Sequence, residues 1–182
     1  MIDRWPRVAE RELLRTRIFT VRAETRHGPD GAAHEFYVMD SPDWVNVIPL
    51  TAAGEVVLVR QPRFGIGRAT LEVPGGMVDP GDADPAAAAA RELLEETGYA
   101  AERVEALGLV HPNPAIQNNV TWSFVARGCR PVAAPRPDGA EDIEVLRRLL
   151  ADVPALIAAG EITHALVVCG FYHLFAHDGW PR

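Results

Sequence analysis

Cysteine is scarce in this chain. Cys129 and Cys169 are the only two in 182 residues, far apart and in neither a C-x-x-C nor a Cys/His metal-ligand spacing. A disulfide scaffold and a cysteine-built zinc site are thereby excluded, and two reduced thiols in an intracellular protein are the reading left. Long apolar runs are also lacking. The longest, residues 162–176, is too short to span a bilayer and is interrupted by His164 and His173. The opening residues mix charges and lack the apolar core of a signal peptide, so the expectation is a soluble cytoplasmic protein. Positive charge is in deficit: 18 Lys and Arg against 25 Asp and Glu give a net −7. A surface of that sign opposes non-specific binding to DNA or RNA, so any phosphate must be met locally, by arginine or by metal. No internal repeat and no domain linker is visible.

What is present suffices for one core and is too little for two, at 48% hydrophobic residues. The expected layout is an N-terminal β region, residues 1–43, ahead of a single domain, residues 44–182. Residues 17–24 alternate apolar and polar, Gly28-Pro29-Asp30-Gly31 turns the chain, and residues 35–39 complete a hairpin. Residues 44–50 and 55–61, joined at Ala53-Gly54, read as a second and more central strand pair. Residues 69–73 then lead into a Pro/Gly-rich loop, 74–82. A helix is predicted over 85–97, because Asp84 suits the N-cap, Pro85 the first helical position and Gly98 the stop. Further strands are predicted at 104–110, 120–126 and 143–147, an exposed loop at 131–139, and helices at 150–159 and 162–175 separated by Gly160. Strands on both sides of a central helix, with helices at the end, give an α/β (α+β) fold class: a mixed β-sheet sandwiched between helices, with an extra N-terminal antiparallel β region.

On the predicted helix, Glu92 lies three residues from Glu95 and four from Glu96, so the three carboxylates project from one side. Like charges so placed repel, and only Arg91 stands near, four residues from Glu95. Hard oxygen ligands beside a glycine loop are what Mg²⁺ needs when it must also hold substrate phosphates. An E-L-L-E-E stretch alone is as readily a solvated helix end. The whole pattern R-E-x-x-E-E-x-G, with five fixed letters at about 6% usage each, arises by chance about once per 10⁶ starting points.

Residues 76–99 resemble the Nudix box, G-x5-E-x7-R-E-U-x-E-E-x-G-U, where U is a bulky apolar residue. Gly76, Arg91, Glu92, Leu93, Glu95, Glu96, Gly98 and Tyr99 fit it. Asp82 stands where the box has glutamate, and eight residues rather than seven separate it from Arg91; the extra one is placed between Gly81 and Pro85, where an insertion costs little. The resemblance implies that Glu92, Glu95 and Glu96, with the backbone carbonyl of Gly75, hold Mg²⁺, for which Mn²⁺ can substitute, and that Arg91 orients a carboxylate.

Outside the box, Gln61-Pro62-Arg63 and Glu72-Val73-Pro74-Gly75-Gly76 resemble the Q-x-R and E-x-P-x-G elements of the ADP-ribose pyrophosphatase branch. That implies Arg63 and Glu72 beside the substrate, Asn113 as a contact to its ribose or base, and Glu141 as the carboxylate that takes a proton from the attacking water, with Glu95 as a further catalytic acid group. Asn113 sits in an amide-rich, turn-prone stretch and reads equally as a turn former. Residues 160–165 resemble the family's G-x-I-x-x-A opening of the last helix, which speaks for fold rather than chemistry. The function so implied is Mg-dependent cleavage of a nucleoside-diphosphate small molecule, ADP-ribose to AMP and ribose 5-phosphate. The alternatives are another diphosphate substrate (a nucleotide sugar, dinucleoside polyphosphate, coenzyme A or oxidised nucleotide) and a nucleotide sensor without turnover. The region 17–39 resembles the strands through which this branch forms a homodimer. No nucleic-acid or membrane partner is expected.

Overall fold

A computed structural model describes every residue except Pro137, Asp138, Ala140, Glu141 and Arg182. The chain divides into two compact units, Met1–Asp43 with His111–Val120, and Trp44–Val110 with Thr121–Arg182. In the first unit β1 (Arg7–Arg15), β2 (Thr20–His27) and β3 (Ala33–Asp40) form an antiparallel sheet in that order. The hairpin of β2 and β3 follows the alternation in the sequence. β1 was not anticipated, and the reason is physical: all nine of its residues are exposed, so no buried face imprints a period on it. Glu24, buried in β2, is neutralised by Arg22 and by Arg26, whose Nε lies 2.7 Å away. The segment His111–Val120 joins the same unit through Met39 N to Ile116 O (2.7 Å) and Asn118 Nδ2 to Asp40 Oδ1 (2.6 Å).

The second unit carries the remaining elements: β4 (Trp44–Thr51), β5 (Glu55–Arg63), β6 (Arg68–Glu72), β7 (Gly75–Met77), α1 (Pro85–Thr97), β8 (Tyr99–Ala100), β9 (Arg103–Val110), β10 (Thr121–Pro131), β11 (Glu144–Leu149), α2 (Val153–Ala158) and α3 (Ala165–Asp178). Its mixed sheet runs β11-β5-β4-β10-β8, with β9 also on β10. The central strand pair reads differently from the sequence. β4 and β5 share a single registered pair, Leu50 with Val56, and the long partner of β4 is β10, in parallel. The separation arises because β6 takes the edge of β5 (Val59 with Glu72) and β7 takes that of β4 (Asn46 with Gly75), a short strand inside what read as pure loop. The chain between Glu72 and Met77 is thereby seated between two diverging strands.

Side-chain alternation on β4 sets the layers. Val45 and Val47 pack with Ala88, Ala89 and Leu93 of α1, and with Phe124 and Ala126 of β10. Ile48 faces the other way, into a larger cluster with Leu58, Leu71, Val125, Ile162, Phe171 and Leu174, which α2 and α3 cover. A period of two on the strand is answered by a helix on each face. α1 matches its predicted bounds, and α3 starts later and runs further than predicted. No helix among the described residues is long and apolar enough to cross a membrane.

Candidate active site

α1 begins where Asp84 Oδ1 accepts the N–H of Ala87 at 2.8 Å, and ends at Gly98, whose φ of 72° returns its own N–H to Leu94 O at 2.8 Å. With Ala88, Ala89 and Leu93 turned into the core, the carboxylates fall beside the 75–77 strand. Glu96 is 2% exposed and accepts the N–H of Gly75 through Oε2 at 3.2 Å. Glu92 presses on the next residue: a Cβ at Gly76 would stand 2.3 Å from its Oε1, and one at Gly75 would stand 2.2 Å from the carbonyl oxygen of Val45. Only glycine permits this approach of backbone to carboxylate.

Arg91 ties the assembly together. Its Nη1 donates to Glu92 Oε1 (2.9 Å) and Glu95 Oε2 (3.0 Å), its Nη2 to Met77 O (3.0 Å), and its Nε and Nη2 fork onto Asp82 Oδ1 and Oδ2 (3.1 and 3.0 Å). The Asp82 fork, first, raises the arginine's pKa further above its ordinary value, with Glu92 and Glu95 adding to it. Asp82 is correspondingly held below the usual carboxylate range by Arg91, and by the N–H of Asp79 at 2.8 Å. The turn from Asp79 to Asp82, closed by Asp82 N to Asp79 O at 3.0 Å, carries the shorter side chain to the guanidinium.

Within the antiparallel pair of β5 and β6, Arg63 meets Glu72 in a bidentate pair, Nε to Oε1 at 2.8 Å and Nη2 to Oε2 at 2.6 Å. Glu72 is 2% exposed. Burial opposes its ionisation, but Arg63 and the hydroxyl of Thr70 outweigh burial and hold its pKa below the ordinary 4.5. Arg63 and Glu72 line one cleft of about 270 Å³ together with Trp44, Asn46, Gly75 and His164. Sequence reasoning missed Asn46 and His164 as site residues. The first is a lone amide in an apolar strand, the second sits in a segment read for fold alone; both were visible as polar residues at otherwise apolar positions.

Glu141 lies outside the described residues. Asn113 belongs to the N-terminal unit, where its carbonyl oxygen accepts from Ile116 N (3.1 Å) and Gln117 N (2.8 Å), a turn-forming role. The carboxylates of α1 and the Gly75 carbonyl are hard oxygen donors of the type a small divalent cation takes. Among the described residues no three His, Cys, Asp or Glu side chains converge on one point.

Residues 41–166, more than half the chain, match the model of the NUDIX domain. The chain belongs to the Nudix family. Its members hydrolyse diphosphate bonds, and so does this Nudix hydrolase. It is similar to the ADP-ribose pyrophosphatase of Bacillus subtilis (strain 168), 26% identical over 92% of this chain and 90% of that one. It also resembles the ADP-sugar pyrophosphatase of Mus musculus, 36% identical over 70% of this chain and 57% of that one. The crystal structure of an ADP compounds hydrolase superposes with a TM-score of 0.85 over 97% of this chain and 96% of that one; at 22% identity it speaks for the fold alone. The Nudix assignment agrees with the mixed sheet between helices and places the chain on the ADP-ribose pyrophosphatase-like branch.

Proposed function

We propose that this Nudix hydrolase cleaves ADP-ribose to AMP and ribose 5-phosphate, with Mg²⁺ as its ion and Mn²⁺ as a substitute. The observation that carries the reading is one cleft lined by Arg63, Glu72, Gly75 and Gly76, at the foot of a helix whose Glu92 and Glu96 touch those two glycines. The names of the relatives, ADP-ribose and ADP-sugar pyrophosphatase, support the substrate class.

In this reading Glu92, Glu96 and the Gly75 carbonyl hold the cation, joined by Glu95. Bound by these residues, a divalent ion would withdraw charge from the phosphates and make an attacking water more acidic. Arg63 meets a phosphate through its guanidinium, whose plane Glu72 fixes. Arg91 keeps Glu92 and Glu95 in place. Glu141 takes the proton from the attacking water, with Glu95 as the other candidate. Asn113 remains the resemblance's candidate for a ribose or base contact. The acid-rich surface and two thiols fit a cytoplasmic enzyme. The chain acts as a homodimer through its N-terminal β region, residues 1–43, where β1 is exposed throughout and Val8, Leu14, Phe36 and Tyr37 are uncovered.

AMP release with Mg²⁺ from ADP-ribose, ADP-sugars, GDP-sugars and dinucleoside polyphosphates tests the substrate, and ADP-ribose is expected to turn over fastest. Faster cleavage of another class refutes that choice. Glu96→Gln is expected to abolish turnover, and hydrolysis left intact at saturating Mg²⁺ would remove Glu96 from the ion site.

A further inference from the structure

The cleft beside Gly75 does not end at Arg63. Arg63 and His164 are also walls of a second cleft of about 570 Å³, roughly twice the first. A space of that order accepts a sizeable organic group. Hydrogen-bonding side chains line it, Gln61, Thr70, Thr163 and Asp142, and one aromatic ring, Phe64, stands 86% exposed at its edge. Asn46 Nδ2, in the first cleft, and His164 Nδ1, on a residue that lines both, are buried and have no hydrogen-bond partner among the described residues. Asn46 as a whole is 91% buried. A buried nitrogen left so costs free energy that a hydrogen-bond acceptor brought within its reach recovers.

We propose that the larger cleft receives a sugar linked to the far phosphate, with Phe64 as the platform under its ring and His164 as the specificity-determining residue that hydrogen-bonds it. The inference rests on the diphosphate-hydrolase reading, which seats the diphosphate at Gly75 and Gly76. The hydrogen-bonding part of the lining suits a polyol. A carboxylate such as Asp142 accepts from two neighbouring hydroxyls, while the amide of Gln61 and the hydroxyl of Thr163 both donate and accept. A terminal phosphate would set its charge against Asp142. A nucleobase is best held between two aromatic rings, and this cleft offers one, beside the apolar Pro62 and Ile66.

KM and kcat measured for wild type, Phe64→Ala and His164→Ala test the proposal, with ADP-ribose and with the P²-methyl ester of ADP, which keeps the diphosphate and lacks the sugar. Each variant is expected to raise KM for ADP-ribose about 5- to 10-fold, the worth of one net contact. The kcat for ADP-ribose should stay within about two-fold, and Phe64→Ala should leave KM for the methyl ester unchanged. An equal rise for both compounds, or none for ADP-ribose, overturns the proposal. So does a larger loss for a substrate bearing a second adenosine, which would make the cleft a base site. Phe64 is exposed, so Phe64→Ala keeps the fold and decides the question even where His164→Ala does not. Wild type cleaving neither compound would refute the substrate reading instead; binding of non-cleavable α,β-methylene ADP-ribose then decides, ten-fold weaker to Phe64→Ala in support and equal binding against.

Discussion

Arg91 is the residue on which the carboxylate side of the cleft depends. It binds Asp82, Glu92, Glu95 and Met77 O at once, so its loss leaves three acidic groups together without their shared cation. Arg91→Ala is expected to lower activity or ion affinity about 10- to 100-fold, the usual effect of removing a partner that orients metal ligands. Activity titrated against Mg²⁺ checks this, and an unchanged half-saturating concentration would show that Arg91 orients nothing. Glu72 sets a pH limit on the same scale. Its pKa is lower folded than unfolded, so the stability it contributes is fully present above the ordinary value of 4.5 and is lost as pH falls through the folded value below it. Urea midpoints of wild type and Glu72→Gln, compared at pH 7 and at pH 3, should therefore converge on acidification. A gap that stays constant across the range refutes the linkage.

At the scale of elements, α1 was legible in the sequence to the residue, because its caps are local chemistry: an aspartate, a proline and a glycine at fixed offsets. The expected costs are also local. Asp84→Ala should cost about 1 kcal/mol, a fall of roughly 2–4 °C in melting temperature for a chain of this size. Gly98→Ala should cost more. Its backbone strain alone is worth about 1–3 kcal/mol, and the new methyl would stand 2.1 Å from the carbonyl oxygen of Ala133. Thermal melts rank the two, and a milder Gly98→Ala would contradict the assigned turn. Other elements were hidden for identifiable reasons. β1 has no buried face, β7 is three residues of glycine and methionine, and the β4 pairing with β10 joins strands far apart in sequence. The carboxylates were legible as a motif. The partnership of Arg91 with Asp82 and the cleft position of Asn46 and His164 needed three dimensions, since each joins residues that no periodicity relates.

At the scale of the molecule, the proposed dimer gives a direct expectation: light scattering should report twice the mass of the chain, and replacing Val8 and Leu14 with aspartate should halve it. A monomer in the unaltered protein refutes the assembly. The divergence of β4 from β5 has a separate consequence, for the order in which the molecule forms. β4 is completed on one edge by β10, synthesised long after it, and β5 on one edge by β11, later still, while His164 and Leu166 arrive last of the cleft residues. Contacts so distant in sequence slow folding, because loop closure precedes any gain from pairing. Helix α1 can form early on its own caps, but a nascent chain holds no cleft until nearly all of it has been made, and hydrolytic activity should appear during refolding only with the slowest phase.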